Sequence, residues 1–395
     1  MEKYKLVLNC GSSSLKFALY KNNGDKLLFG NFEKIGISDS FVKYNFLNEN
    51  KKIEFSILKN HIEALEGFFN LLSELDINIS DIDSIGHRIV HGGGEFEDSV
   101  ICDYSVISRL EKTKLLAPLH NKSQIDVVEY CFENLKDIKQ VLCFDTSFHS
   151  TIPEMAYRYA IPYKFFNENK VRKYGFHGLS YQYSLEKYSQ KTGISKDKLN
   201  LIVCHLGSGS SVCAIKNGKS IDTSMGLTPM DGLVMGTRAG DIDPGVLIHL
   251  INTLNYSPSE VYDILNKKSG LAGITGLSDI DMREVLYLAD FEVSDYDIKK
   301  VQDKFKSYSS EDLLKLKNRC KLAIDIMVYR IRKYIGAYFA ILGKVDALIF
   351  TAGIGERSNV IRNLIIKDLD ILNGVNIDVI KADEEYVIFE TLLNI

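Results

Sequence analysis

Apolar residues in this chain fall into short runs that alternate with longer stretches of helical spacing. Residues 4–9 and 15–20 read as strands on either side of Gly11-Ser12-Ser13-Ser14; 22–25 marks a turn, and 26–33 reads as a third strand. Asn60 is placed to cap a helix through Leu75. Residues 84–94 read as a strand running into three glycines, Ser123 opens another helix, and 140–149 forms a buried strand ending at Asp145. In the second half, 199–206 reads as a strand, Ser257-Pro258 starts a helix, 310–342 reads as one long helix, and 345–356 is a strand that breaks at glycines. Apolar strands alternating with helices predict an α/β fold.

One part of this pattern occurs twice. LNCGSSSLKFALYKNNGDK (8–26) and CHLGSGSSVCAIKNGKS (204–220) both read strand, Gly/Ser turn, strand, Asn-Gly turn. Taken singly, the first turn admits two readings. One is a plain hairpin. The other is a phosphate cradle, with backbone N–H groups and hydroxyls as donors and Lys16 supplying charge. The repetition favours the cradle, because a duplicated βββ unit would set two Gly/Ser hairpins facing each other across an interdomain cleft, as cutting a nucleoside triphosphate requires. FTAGIGE (350–356) is a third glycine-rich break, opening a helix whose N-terminus favours anions. The chain has neither a G-x-x-x-x-G-K-[ST] nor a G-x-G-x-x-G motif.

Composition narrows the function classes. At 395 residues the chain is long enough for two or three domains, and 45% hydrophobic with 25% charged residues is ordinary globular usage. A formal net charge of −4 without a basic block argues against nucleic acid as a partner. No apolar run reaches membrane-spanning length and MEKYKLVLN lacks the shape of a signal peptide, so a cytoplasmic protein is expected. The seven cysteines are scattered, mostly in apolar runs, and read as buried free thiols; with the eight histidines they show no zinc-ligand spacing.

Eight stretches in order are similar to the acetate kinases: NCGSSSLKF, GHRIVHGGGEF, APLHN, CFDTSFHSTIP, YGFHGLS, HLGSGSS, DTSMGLTPMDGLVMGTRAGDIDP and FTAGIGE. That family belongs to the acetate and sugar kinase, heat-shock chaperone and actin superfamily. The resemblance implies an α/β fold of two ribonuclease-H-like domains with duplicated βββαβαβα cores and an active-site cleft between them. The first domain is expected at 1–149, with 385–395 packing back on it, and the nucleotide-binding domain at 150–384. The implied reaction is reversible, direct in-line transfer of the γ-phosphoryl of ATP to acetate with Mg²⁺, or Mn²⁺ in its place. The implied partners are acetate, ATP and a second copy of the chain in a homodimer, with no nucleic acid or membrane. Two other readings are a kinase for propionate or another short-chain carboxylate, or one using pyrophosphate, and an ATP-binding switch that transfers nothing.

Carried over residue by residue, the resemblance makes Arg88, Asp145, His177 and Arg238 the catalytic set. A guanidinium fork binds carboxylate or phosphoryl oxygens in pairs. Arg88, Val90, Leu119, Phe176 and Pro229 would bind the carboxylate substrate and its methyl group. Asn9, Ser12, Ser14, Lys16, His205, Leu206, Gly207, Ser208, Gly209, Asp281, Met282, Arg283, Ala352, Gly353, Ile354 and Gly355 would bind ATP. Asn9 and Glu384 would hold the metal. His87, His91, His149 and His249 read as structural, and His120 lies inside a matching motif. The chain departs from the family pattern at Ser208 (usually Asn), Leu179 and Tyr181 (usually Thr and His), Lys122 (usually Pro) and Arg357 (usually Asn). Residues 278–283 carry one extra residue, 357–383 is short, and 290–312 is long and more charged.

Overall fold

The computed structural model describes residues 3–115, 121–278, 281–293 and 298–395. The chain forms two units. One contains Met1–Ser150, Phe176–Tyr183 and Asp383–Ile395; the other contains Thr151–Gly175 and Ser184–Ala382.

The first unit is built on an eight-stranded sheet. Its strands are β1 (Tyr4–Cys10), β2 (Ser14–Lys21), β3 (Lys26–Glu33), β4 (Phe41–Phe46), β5 (Glu49–Glu54), β6 (Ile82–Ile89), β7 (Val100–Ile101) and β8 (Lys139–Phe144), in the order β5-β4-β3-β2-β1-β6-β8-β7. β1, β2 and β3 form an antiparallel meander, while β1, β6 and β8 run parallel. Alternation along β1 and β2 divides the core. Leu6, Leu8, Leu15, Phe17 and Leu19 meet Ala64, Leu65 and Phe68 of the helix His61–Glu74. Val7, Ala18 and Tyr20 point the other way, against Val387, Ile388 and Phe389 of the C-terminal helix Glu384–Leu393. That helix approaches closely because β6 carries Gly86, where a Cβ would lie 2.2 Å from the Ile388 side chain.

The second unit has a five-stranded sheet: β9 (Leu201–Leu206), β10 (Ser210–Lys216), β11 (Lys219–Thr223), β12 (Ala347–Thr351) and β13 (Asn376–Val379), ordered β11-β10-β9-β12-β13. This repeats the order β3-β2-β1-β6-β8, so the duplicated core expected from the paired turns is present in both units. Ile324, Met327, Ile331 and Ile335 of the helix Ser310–Leu342 pack with Ile202, Cys204, Val212 and Ala214 of the sheet.

Several boundaries differ from expectation. The helix expected from Ser123 is Asn121–Asn134, and the strand expected to end at Asp145 ends at Phe144. The strand expected at 345–356 is only Ala347–Thr351, because Ala352–Arg357 turns into a short helix. Phe176–Tyr183, Asp383 and Glu384 group with the first unit, although the sequence placed them in the second. Two contacts explain this. Gly178 N–H donates to the Asp145 carbonyl at 2.9 Å. Asp383 caps the C-terminal helix and pairs with Lys26 at 2.8 Å. All seven cysteines are buried and unpaired, and burial pushes the Cys102 and Cys131 thiols up to about 12. Among the described residues no helix is long and apolar enough to cross a membrane.

Candidate active site

In the first unit, three predicted site residues meet because they end adjacent parallel strands. Asn9 on β1 is in register with Arg88 on β6, Arg88 is in register with Cys143 on β8, and Asp145 follows β8 by one residue. The carboxyl ends of parallel strands are where α/β sheets present ligand-binding groups. Arg88 Nε and Nη2 donate to the two carboxylate oxygens of Asp145 at 2.8 and 2.7 Å, a bidentate fork. Its Nη1 pairs with Glu384 at 2.8 Å and reaches Asn9 Oδ1 at 3.3 Å. Glu384 opens the C-terminal helix, and the next residue, Glu385, accepts from Asn9 Nδ2 at 3.1 Å.

Charge explains the arrangement. Burial would drive a proton off Arg88, but Asp145, Glu384 and Glu385 outweigh it and hold the guanidinium more firmly charged than an ordinary arginine. Burial pushes the Glu385 carboxyl up, yet Lys16, a backbone N–H, Asn9 and Lys26 together hold it below its ordinary range. Asp145, Glu384 and Glu385 therefore face Arg88, Lys16 and Lys26, so the three carboxylates are matched by three cations. Among the described residues no group of three or more His, Cys, Asp and Glu is placed to hold a metal ion.

The turn at Gly11–Ser14 closes with Gly11 N–H donating to Ser14 O at 2.8 Å, leaving Ser12 and Lys16 exposed. His177 has φ 59, a left-handed conformation that few side chains adopt. The bond from Gly178 to Asp145 pins that backbone, and a Cβ at Gly178 would lie 2.2 Å from the Asp145 carbonyl oxygen. Phe176 is buried, its carbonyl accepting from His149 at 3.0 Å and its ring meeting His91 edge-on at 5.2 Å. Val90 is half-buried. Leu119 and His120 lie outside the described residues.

Some residues that build this site carried no signal in the sequence reading. Gln124 bridges the ends of β1 and β6, donating to Cys10 O at 2.9 Å and accepting from Val90 N–H at 2.9 Å. Asn121 brackets His91, its carbonyl accepting from the backbone N–H at 3.2 Å and its amide donating to the backbone carbonyl at 2.9 Å. His61 donates to Gly11 O at 2.8 Å and so holds the Gly/Ser turn from the helix beneath it. Asn121 was at least the last letter of APLHN; Gln124 lies one helical turn further on, where only the fold reveals its use.

In the second unit, His205 and Leu206 end β9 and lead into Gly207-Ser208-Gly209. Gly207 N–H is satisfied by Gly209 O at 3.1 Å, and Ser208 O accepts from Gly236 N–H at 3.3 Å, which joins this hairpin to the segment bearing Arg238. Arg238 Nη1 donates to Pro229 O at 3.0 Å, and among the described residues Arg238 has no carboxylate partner. Burial lowers its pKa from the ordinary value, with Tyr262 opposing. Ala352, Gly353, Ile354 and Gly355 lie in the short helix after β12. A Cβ at Gly353 would meet nothing within 4 Å, so packing does not require glycine there. Asp281 has a structural role. It caps the helix Met282–Leu288 and its carboxylate pairs with Arg283 at 2.8 Å, while Met282 is buried in the core.

A sequence profile of the Acetokinase family matches residues 4–388. An acetate kinase of Dictyoglomus thermophilum is 44% identical over 378 residues, covering 94% of this chain and 88% of that one. An acetate kinase of Borreliella burgdorferi is 43% identical, covering 96% of this chain and 89% of the relative. Among solved structures, the acetate kinase of Porphyromonas gingivalis superposes with a TM-score of 0.84 at 36% identity, covering 99% of both chains. A propionate kinase of Francisella tularensis superposes with a TM-score of 0.85 at 37% identity, covering 98% of both. The fold and the matched sequence define a phosphotransferase with a carboxyl group as acceptor. The chain belongs to the acetokinase family.

Proposed function

We propose that this chain transfers the γ-phosphoryl group of ATP to acetate, reversibly, giving acetyl phosphate and ADP. The observation that carries the reading is the fork of Arg88, from β6, on Asp145 just beyond β8, with Glu384 of the C-terminal helix paired to its third nitrogen. Arg238 supports it as well, a guanidinium held among carbonyl and thioether groups and left, among the described residues, without a carboxylate partner. Acetate is already an anion at neutral pH, so no general base is needed. The barrier lies in bringing one anion onto another and holding them in line, which is work for positioning and charge. In this reading Arg88 orients the carboxylate while Arg238 and His177 donate to the phosphoryl oxygens as charge builds on them. By the resemblance, Val90, Leu119, Phe176 and Pro229 would give the methyl group an apolar wall. Asn9 and Glu384 would hold magnesium, which when bound supplies neutralising charge to the phosphates. Lys16, Ser12 and Ser14 serve the phosphates from the first unit. Gly207–Gly209 and Ala352–Gly355 serve ATP from the second, where the open space beside Gly353 lets a ligand approach the backbone.

The likeness to a propionate kinase keeps a second acceptor in view. An added methylene in an apolar pocket changes discrimination by only about 1–3 kcal/mol, so propionate should be accepted at a lower rate. A homodimer is also proposed. The helix Pro244–Asn252 buries none of its residues, and Val246 and Ile248 are 39% and 58% exposed. The deciding experiment traps acyl phosphate as hydroxamate, with acetate, propionate and butyrate each against ATP, GTP and pyrophosphate. ATP with acetate should give the fastest trapping. If no carboxylate gives hydroxamate while ATP still binds, the chain is a nucleotide switch and the reading falls.

A further inference from the structure

Arg238 sits in a loop whose neck is closed by one residue. Asp241 N–H donates to Gly232 O at 2.9 Å, and Gly232 N–H donates back to Asp241 Oδ1 at 2.9 Å. The second carboxylate oxygen, Oδ2, accepts from the Tyr334 hydroxyl at 2.8 Å, which ties the neck to the long helix Ser310–Leu342. The two hinge glycines cannot be anything larger. Gly232 has φ +93 and Gly240 has φ +71, and a Cβ at Gly240 would lie 2.5 Å from the carbonyl oxygens of Gly232 and Leu233. Inside the loop, Met235 N–H donates to Arg238 O at 3.1 Å and the Arg238 guanidinium folds back to Pro229 O. The backbone bearing Arg238 is thus held by the neck at its base, and along its length by bonds such as Ala239 N–H to Leu265 O at 3.0 Å and Leu271 N–H to Met235 O at 2.9 Å.

We propose that Asp241, held by Tyr334, is a positioning residue for Arg238: it closes the neck of the 232–241 loop and thereby fixes where the guanidinium is presented. The proposal rests on the reading that Arg238 meets the transferred phosphoryl group. Asp231, beside the neck, makes the closure proton-dependent. Its carboxyl is pushed up to about 6, first by burial, then by the charge of Asp241 and a hydrogen bond to it; Lys173 and the Gly232 N–H pull the other way. Among the described residues the hydroxyls of Tyr159 and Tyr334 also face this pair, and Lys173 is itself paired with Asp222 at 2.6 Å. Below about pH 6 Asp231 takes up a proton; above it Asp231 is a carboxylate beside that of Asp241.

A double-mutant cycle tests this with steady-state kinetics. Tyr334→Phe keeps the ring and removes only the hydroxyl that holds Asp241. In the otherwise native protein it should lower kcat about 10-fold and leave KM for ATP within about twofold. In an Arg238→Ala background it should lower kcat no further, because the residue being positioned is gone. The native protein should show an inflection of kcat near pH 6, and Asp231→Asn should abolish it. Equal fold-losses from Tyr334→Phe in both backgrounds, or no loss in the native background, would each overturn the positioning role; an unchanged pH profile in Asp231→Asn would overturn the proton dependence of the neck. A near-normal kcat in Arg238→Ala alone is a different failure: it removes Arg238 from the reaction, and the proposal goes with it. Thermal melts of every variant separate these outcomes from unfolding.

Discussion

Replacing Arg88 by alanine should damage folding and chemistry by separable amounts. The substitution deletes two bonds to Asp145 at 2.7 and 2.8 Å and the pair with Glu384 at 2.8 Å. The two carboxylates differ in what they lose. The Asp145 side chain is 2% exposed, while that of Glu384 is 12% exposed and keeps more of its hydration. Removing one partner of a buried pair costs roughly 3–5 kcal/mol because a charge is left uncompensated. With most of the cost at Asp145, the loss should fall near the lower end, about 3 kcal/mol. Urea unfolding at pH 7 measures it. Turnover should fall about 10³-fold or more in the hydroxamate assay, because the acceptor carboxylate loses the guanidinium that orients it for in-line attack. Asp145→Asn added to Arg88→Ala removes the stranded charge, so it should restore much of the stability and none of the turnover. Arg88→Lys should rescue turnover poorly, since one ammonium cannot reproduce the fork. A stability change under about 1 kcal/mol would show that Asp145 does not depend on the guanidinium. Recovery of turnover together with stability would show that Arg88 is structural only.

Three further outcomes follow from the same geometry. Gly178→Ala places a Cβ 2.2 Å from the Asp145 carbonyl oxygen and 2.9 Å from Phe148 Cβ. It should destabilise by about 1–3 kcal/mol and lower kcat at least 10-fold by moving His177 and Asp145 apart; a variant as active as the native protein would show that their spacing is irrelevant. His87 is buried on a 2.9 Å bond to Gln140, and burial pushes its pKa down to about 4 from the ordinary 6.5, with that bond pulling back. As pH falls through 6.5 the unfolded chain takes the proton first, so stability should decline by about 3 kcal/mol between pH 6.5 and 4. His87→Gln should flatten that slope in urea titrations, and an unaltered slope would assign the acid sensitivity elsewhere. Val90→Ala should raise the propionate-to-acetate ratio of kcat/KM; an unchanged ratio would remove Val90 from the pocket wall.

What the sequence determined by itself was whatever depends on neighbours in the chain. The helix capped by Asn60 and the long helix 310–342 were legible because caps and apolar spacing are local. The duplicated βββ unit was legible because each copy carries its own Gly/Ser turn and Asn-Gly turn within about twenty residues. The residues of the site were legible one by one, as members of motifs. Their partnerships were decided only by tertiary structure. Asn9, Arg88, Asp145 and Glu384 are far apart in sequence and meet because parallel strands β1, β6 and β8 end side by side under the first turn of the C-terminal helix. No local pattern reports a bond such as the one from Gln124 to Cys10, 114 residues away, or the one from Tyr334 to Asp241, 93 residues away. The left-handed backbone at His177 was equally invisible, because its cause is the closeness of Gly178 to Asp145 rather than any preference of histidine. Local chemistry specifies elements; which charges face one another depends on where the sheet brings their strands to an end.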